Sequence, residues 1–295
     1  MMACKTSADS YSQHICYQMP KCKFCHVQHP HFDDTHAQEL AVALAENPNV
    51  VQNLELSNCP RLSAKGISTI LESILANTNI ISRLDLESVT IGDEGLEVIT
   101  RLLQSDKCAI QQLGLEDNGS TLSSQAWKGL LSSVGHLRSL DLSRNALTED
   151  HMVELCNTIQ TSTTLESLIV SENPIGDKGV QELCDALQHN ESLVLLALGD
   201  CQITNRGMHA LTQCMRQNSH LQRFFLYGNP MEYDETADRT EFAYWLELNS
   251  SGRRLLRTKG FRSELLPRML SKVQNNPELL FGLLHELPHV WLPLS

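Results

Sequence analysis

Residues 165 to 183, LESLIVSENPIGDKGVQEL, fit no single secondary structure. Leu165, Leu168 and Val170 end in the two-residue alternation of a short strand, whereas after Asn173 the apolar positions open out to Ile175, Val180 and Leu183. A switch from strand period to helix period within one short segment predicts a strand, a turn at Asn173 and a helix.

The spacing recurs. L-x-x-L-x-L-x-x-N or C is met seven times, from Val51 (VQNLELSNC), Ile81 (ISRLDLESV), Ile110 (IQQLGLEDN), Leu137 (LRSLDLSRN), Leu165 (LESLIVSEN), Leu193 (LVLLALGDC) and Leu221 (LQRFFLYGN). Successive starts lie 30, 29, 27, 28, 28 and 28 residues apart, the signature of an internal repeat. In this pattern the chain resembles the leucine-rich repeats of the ribonuclease-inhibitor type, whose long units alternate a strand with a full helix. The resemblance covers roughly residues 33 to 250. It implies an α/β leucine-rich-repeat solenoid, a curved right-handed horseshoe with parallel strands on its concave face, helices on its convex face and a C-terminal helical cap.

The fourth and sixth positions of each unit are expected to point inward. The ninth would satisfy backbone groups where the chain turns inside the solenoid, through amides at Asn118, Asn145, Asn173 and Asn229 and through weaker thiols at Cys59 and Cys201. Val89 has no side-chain hydrogen bond to give, which predicts a less supported turn. Gly66, Gly95, Gly179 and Gly207 share one position, read as close approach of strand and helix, with Ala126 and His151 as exceptions. The next residue is apolar throughout (Ile67, Leu96, Trp127, Met152, Val180, Met208) and anchors the helix. Since each unit leans on its neighbours, the ends need caps.

Three regions follow: a Cys/His-rich segment at 1–32, the repeat domain at 33–258 and a helical appendage at 259–295, read as packed on the cap, with a separate partner-binding module as the alternative. DTHAQELAVALAEN (34–47) reads as an N-terminal capping helix with Asp34 or Thr35 as N-cap, and EFAYWLELNSSGRRLL as one long closing helix.

At 295 residues, 41% hydrophobic and 20% charged, the composition is that of a soluble globular protein. The net charge of -12 argues against a nucleic acid or anionic membrane gripping the whole surface, and leaves room for a local basic patch. The start of the chain lacks an apolar signal-like run, and the apolar stretch ELLFGLLHELPHVWLPL is broken by His285, Glu286, Pro288 and Pro293, so neither secretion nor a membrane span is expected. Six of the ten cysteines (Cys59, Cys108, Cys156, Cys184, Cys201, Cys214) fall at positions suited to small buried side chains, which points to a reducing, cytoplasmic compartment.

Outward strand positions of a solenoid form columns. The fifth position reads Glu55, Asp85, Gly114, Asp141, Ile169, Ala197, Phe225, and the seventh Ser57, Glu87, Glu116, Ser143, Ser171, Gly199, Tyr227. The face therefore divides into an acidic N-terminal half (Glu55, Asp85, Glu87, Glu116, Asp117, Asp141) and an apolar C-terminal half (Ile169, Leu195, Ala197, Phe225, Tyr227). A protein partner with a basic edge and an apolar anchor would fit, with Phe225 and Tyr227 as the anchoring pair.

The N-terminal segment crowds Cys4, Cys16, Cys22 and Cys25 with His14, His26, His29, His31 and His36. CYQMPKCKFCH (16–26) resembles the C-x5-C-x3-H core of CCCH zinc fingers, with Phe24 inside it. That resemblance implies zinc held by Cys4, Cys16, Cys22 and His26, and single-stranded RNA stacked on Tyr11, Tyr17 or Phe24. The gap from Cys4 to Cys16 is longer than that family usually shows. The competing reading makes KCKFCHV a degenerate capping strand before the first helix. Cys22-x-x-Cys25-His26 also fits a haem c attachment pattern, against which stands the missing export signal.

No phosphate-cradling glycine loop, nucleophile elbow or metalloprotease histidine pair occurs. GTPase-activating proteins for Ran resemble this chain in repeat type and acidity, but they carry a strongly acidic tail where this chain has apolar helices. The expectation is a non-enzymatic protein-interaction scaffold or adaptor. An RNA-associated adaptor is the second reading and a Ran-type activator the third.

Overall fold

The protein is described by a computed structural model over residues 23–77, 80–119, 122–231, 237–257 and 263–286. Among the described residues, eight short strands, β1 (Phe24–Val27), β2 (Asn53–Ser57), β3 (Arg83–Glu87), β4 (Gln112–Gly114), β5 (Ser139–Asp141), β6 (Ser167–Ile169), β7 (Leu195–Ala197) and β8 (Arg223–Phe225), form one parallel sheet in chain order. A helix follows each: α1 (Asp34–Glu46), α2 (Ala64–Ala76), α3 (Gly92–Gln104), α4 (Ser124–Leu131), α5 (Glu149–Thr161), α6 (Gly176–Leu187), α7 (Asn205–Gln217) and α8 (Ala237–Ser250). Three short helices close the described chain: α9 (Arg253–Arg257), α10 (Leu266–Val273) and α11 (Pro277–His285).

Strands stack about 4.8 Å apart whereas helices need about 8–10 Å, so one of each per unit bends the stack with the sheet inside. The core lies between the two layers. Leu54, Leu84, Leu113, Leu140, Leu168 and Leu196 stand in register across the sheet, and they and the sixth-position residues Leu56, Leu86, Leu115, Leu142, Val170 and Leu198 are buried.

β1 precedes the seven strands that the motif locates and falls within the segment set apart at 1–32. Its Cys25 and Val27 pair with Leu54 and Leu56 and take the same inward sites. The competing reading of KCKFCHV as a capping strand matches this placement.

The turns after the strands are held by a column of buried amides. Asn173 Nδ2 donates to the carbonyls of Leu142, Val170 and Ser171 at 2.9, 2.9 and 3.1 Å, while its Oδ1 accepts from the backbone N–H of Asn145 and Leu147, both at 2.9 Å. Asn118, Asn145 and Asn229 repeat the pattern. The thiols of Cys59 and Cys201 reach Val27 and Val170 carbonyls at 3.7 and 3.3 Å. Val89 receives an amide only from the following unit, giving its N–H to Asn118 Oδ1 at 3.1 Å.

A second amide column, invisible to the ninth-position motif, closes the opposite turns. Asn190 Nδ2 donates to Ile159 O, Asn218 Nδ2 to Leu187 O and Asn249 Nδ2 to Asn218 O, at 2.7, 2.8 and 2.9 Å.

Four local expectations are corrected. The N-cap of α1 is Asp33, whose carboxylate accepts from the N–H of Thr35 and His36. Asp34 instead reaches the next unit, accepting from Ser63 N and Oγ at 2.9 and 2.6 Å. Asp177 does the same for Thr204 at 2.8 and 2.6 Å.

The shared glycines answer to neighbouring helix starts rather than to a strand. A Cβ on Gly66 would strike Asp34 and Leu62, and one on Gly207 would strike Asp177 and Ile203.

The long closing helix is two helices, broken where Gly252 takes φ +111°, a conformation L-residues avoid.

Asp117 does not belong to the strand face. It sits at φ 58° beyond β4, in a row of eighth-position residues (Asn58, Ser88, Asp117, Arg144, Glu172, Asp200, Gly228) whose φ values run from 49° to 70°.

α10 and α11 pack on α8 through Leu248, Leu256, Met269, Val273, Leu279 and Leu283. Beneath them Arg253, 3% exposed, donates to Met215 O at 3.0 Å and Glu286 at 2.7 Å, and lies 4.5 Å from the centre of the Trp245 ring. Pairing and carbonyl contacts make this buried cation tolerable. Among the described residues, no helix is long and apolar enough to cross a membrane.

Removing the Asn173 amide strands several buried backbone groups, each worth roughly 1–3 kcal/mol. Asn173→Ala is expected to lower the urea midpoint strongly and to speed hydrogen exchange at Asn145 and Leu147. Asn173→Cys, which mimics Cys201, is expected to lose clearly less.

Candidate binding surface on the concave face

Hydrogen-bonded register, not side-chain chemistry, assembles the surface. His26, Glu55, Asp85, Gly114, Asp141, Ile169, Ala197 and Phe225 are successive partners from β1 to β8. The fifth-position column is therefore continuous, about 4.8 Å per step.

Gly114 leaves this column without a side chain at its middle. A cleft of about 310 Å³ opens there, bordered by Glu55, Asp85, Glu87, Glu116, Asp141 and Ile169. A Cβ on Gly114 would collide with the Asp85 carboxylate, so the glycine lets Asp85 lean across the floor.

The acids are partly matched by Arg83 and Arg144, which lie outside the two columns, and by His26, which the zinc-finger resemblance implied as a ligand. Arg83 Nε donates to Asp85 at 3.0 Å, and the His26 imidazole lies 3.4 Å from Glu55. Arg144 stands 4.0 Å from Glu116 and 3.4 Å from Glu172. Asp141 accepts from Ser143 N and Oγ at 2.9 and 2.7 Å. Burial first, then Asp141 and Glu87, push the Glu116 pKa above the ordinary glutamate value, with Arg144 opposing. This is a field poised for an incoming positive charge.

The apolar half is narrower than the columns imply. Ala197 is buried and Ile169 and Leu195 are half-buried, while Phe225 and Tyr227 are 47% and 59% exposed. The Tyr227 ring lies over Gly199, where a Cβ would collide with it. Asp117 stands on the rim, where its carboxylate accepts from Ser88 Oγ at 2.8 Å. Strand alternation alone could not reveal that, because the left-handed φ at the eighth position turns the chain off the face. The signal for the cleft was present, in a lone glycine within a column of acids.

Of the residues assigned to zinc, Cys4, Cys16 and Cys22 lie outside the described residues. His26 is on β1 beside Glu55. Among the described residues, no group of three or more His, Cys, Asp or Glu is arranged to hold a metal ion.

One parallel sheet, a helix per unit and a buried Asn or Cys closing most of the turns give the chain the architecture of a leucine-rich-repeat solenoid, similar to the ribonuclease-inhibitor type. Residues 161–184 and 189–211 match one family described as Leucine Rich repeat, and residues 136–158 a second, Leucine Rich Repeat. The mouse NACHT, LRR and PYD domains-containing protein 14 is 32% identical over 114 residues, spanning 38% of this chain and 11% of that protein. The pig ribonuclease inhibitor is 28% identical over 139 residues, spanning 47% of this chain and 30% of that protein. This chain thus covers less than a third of the length of either relative. Among solved structures, the yeast Rad7 and Elc1 complex aligns with a TM-score of 0.51 at 15% identity, covering 77% of this chain and 62% of that one, which is a likeness of fold.

Because the folded state holds the Glu116 proton more tightly than the unfolded chain does, its contribution to stability is full below the unfolded pKa. It is lost as pH rises through the folded one. Glu116→Gln is therefore expected to raise the thermal midpoint at neutral pH and to leave it unchanged in acid well below the glutamate range. Paired melting curves check this.

Proposed function

We propose that the protein is a non-enzymatic interaction scaffold that holds a partner protein on its concave face. The observation carrying this reading is the juxtaposition on one rigid sheet of an acidic cleft around Gly114 with two exposed aromatics, Phe225 and Tyr227. A partner segment running across the strands would place a lysine or arginine in the cleft and an apolar side chain against the aromatic pair. Exposed tyrosine and phenylalanine on a rigid concave support cost little entropy to immobilise, as interface anchors require. Leucine-rich-repeat proteins as a class are binding scaffolds, and the fold offers a surface rather than an enclosed reaction chamber.

Affinity purification of the full chain beside a Phe225→Asp, Tyr227→Asp double variant, with and without ribonuclease, tests the reading. Partners that vanish only from the variant are expected. Because both side chains are exposed, the variant should fold normally, and partners retained by it would end the proposal. Association that the variant keeps and ribonuclease abolishes would move the function to an RNA-dependent mode.

A further inference from the structure

The concave face is acidic, yet the flank on which α6 and α7 run into β7 and β8 carries the opposite charge. A second cleft, of about 450 Å³, opens there between the turns at residues 187–191 and 217–220, and α9 lies across it with Arg254 and Arg257. The sequence GRRLLR places Arg253, Arg254 and Arg257 on that short helix. Arg253 turns inward to Met215 and Glu286, as described above. Arg257 Nη1 donates to Gln217 O at 2.8 Å, and its Nε stands 3.7 Å from Glu286. Among the described residues, no hydrogen bond or ion pair engages the Arg254 guanidinium, which lines the cleft half-buried.

His220 lies within the field of both arginines. Burial and then Arg254 and Arg257 hold its pKa below the ordinary histidine value, against the opposing charge of Glu191. The wall also carries the carboxylate of Glu191, while Gln188, Asn190, Gln217, Asn218 and Ser219 add amide and hydroxyl groups. An unpaired guanidinium in a polar cleft, with a second arginine beside it, has the geometry for bidentate recognition of an oxyanion. The chain's overall charge of -12 opposes a long polyanion, so the fitting ligand bears its negative charge locally.

We propose that this flank cleft docks an oxyanion, carboxylate or phosphate, borne on a peptide segment of a partner protein, with Arg254 as the principal contact and Arg257 as the second. The proposal is independent of the concave-face reading. The two surfaces differ in sign and share no lining residue, so one scaffold can hold a basic segment and an acidic one together.

The test uses the full chain and two fluorescein-labelled peptides of Gly and Ser, one with a central phosphoserine and one with a central run of glutamates. Fluorescence anisotropy is expected to show binding of at least one. The affinity should fall by about tenfold or more in Arg254→Glu, the scale of a lost charge-assisted hydrogen-bond pair. The exposed Arg206→Glu, on α7, should leave it unchanged. Binding of the phosphoserine peptide alone, competed by inorganic phosphate, assigns the site to phosphorylated partners, and binding of the glutamate peptide assigns it to acidic ones. In NMR titrations the added negative charge should raise the His220 pKa, held low in the free protein by burial and then by Arg254 and Arg257 against Glu191, with Glu286 beside Arg257. Absence of binding by both peptides, or binding indifferent to Arg254→Glu while the variant melts like wild type, would overturn the proposal.

Discussion

A backbone that turns inside a protein must satisfy its carbonyls without water, and the structure depends on how that is done here. Asn173 shows the pattern: its two N–H donors serve carbonyls of its own strand end and of the preceding unit, while its oxygen accepts from backbone N–H groups of that preceding unit. Because the partners straddle two units, the amide ties one turn to the next. It fixes how far each strand is shifted along its neighbour. Everything displayed on the concave face inherits that register: the acidic column, the gap at Gly114 and the aromatic pair are aligned by hydrogen bonds buried behind them.

The acidic cleft is less bare than its composition implies. Arg83, Arg144 and the His26 imidazole stand beside the carboxylates, and a cation entering from outside competes with the two resident guanidinium groups. Exposed ion pairs are weak, so Arg83 and Arg144 can swing away at little cost. The resident cations thus discriminate: a ligand with one diffuse charge gains little over them, while a segment that also engages Phe225 and Tyr227 gains both charge and buried area.

The repeat was legible because it is written in spacing, and spacing survives substitution. Strand positions, the fifth-position column and the Asn and Cys turn residues could be placed from Leu165 to Leu183 and its six copies. What escaped depended on contacts between units. Asp33 rather than Asp34 caps α1 because Asp34 serves Ser63 across the boundary. Asn190 and Asn218 read as ordinary loop residues, and Asn249 as one more residue of the closing helix, until the carbonyls they donate to are seen. β1 was faint since Cys25 and Val27 stand where leucines mark the other units, and Asp117 left the face through a backbone angle that sequence does not print. Arg83 and Arg144 were overlooked because they lie outside the columns that defined the cleft.

Arg253 has a meaning best put in the language of polymers. Ile159 and Leu187 end their helices with carbonyls taken by an asparagine of the next unit, and Met215 occupies the equivalent place on α7. There the acceptor is filled by the guanidinium of Arg253, held by Glu286 and roofed by Trp245. A growing stack needs a vacant acceptor at its tip, and this residue consumes it. Arg253 is thus a chain terminator in the chemist's sense, an end group that halts propagation of the lattice along its own axis. Lengthening such a protein would be easier by duplicating a unit in the interior than by adding one at this tip.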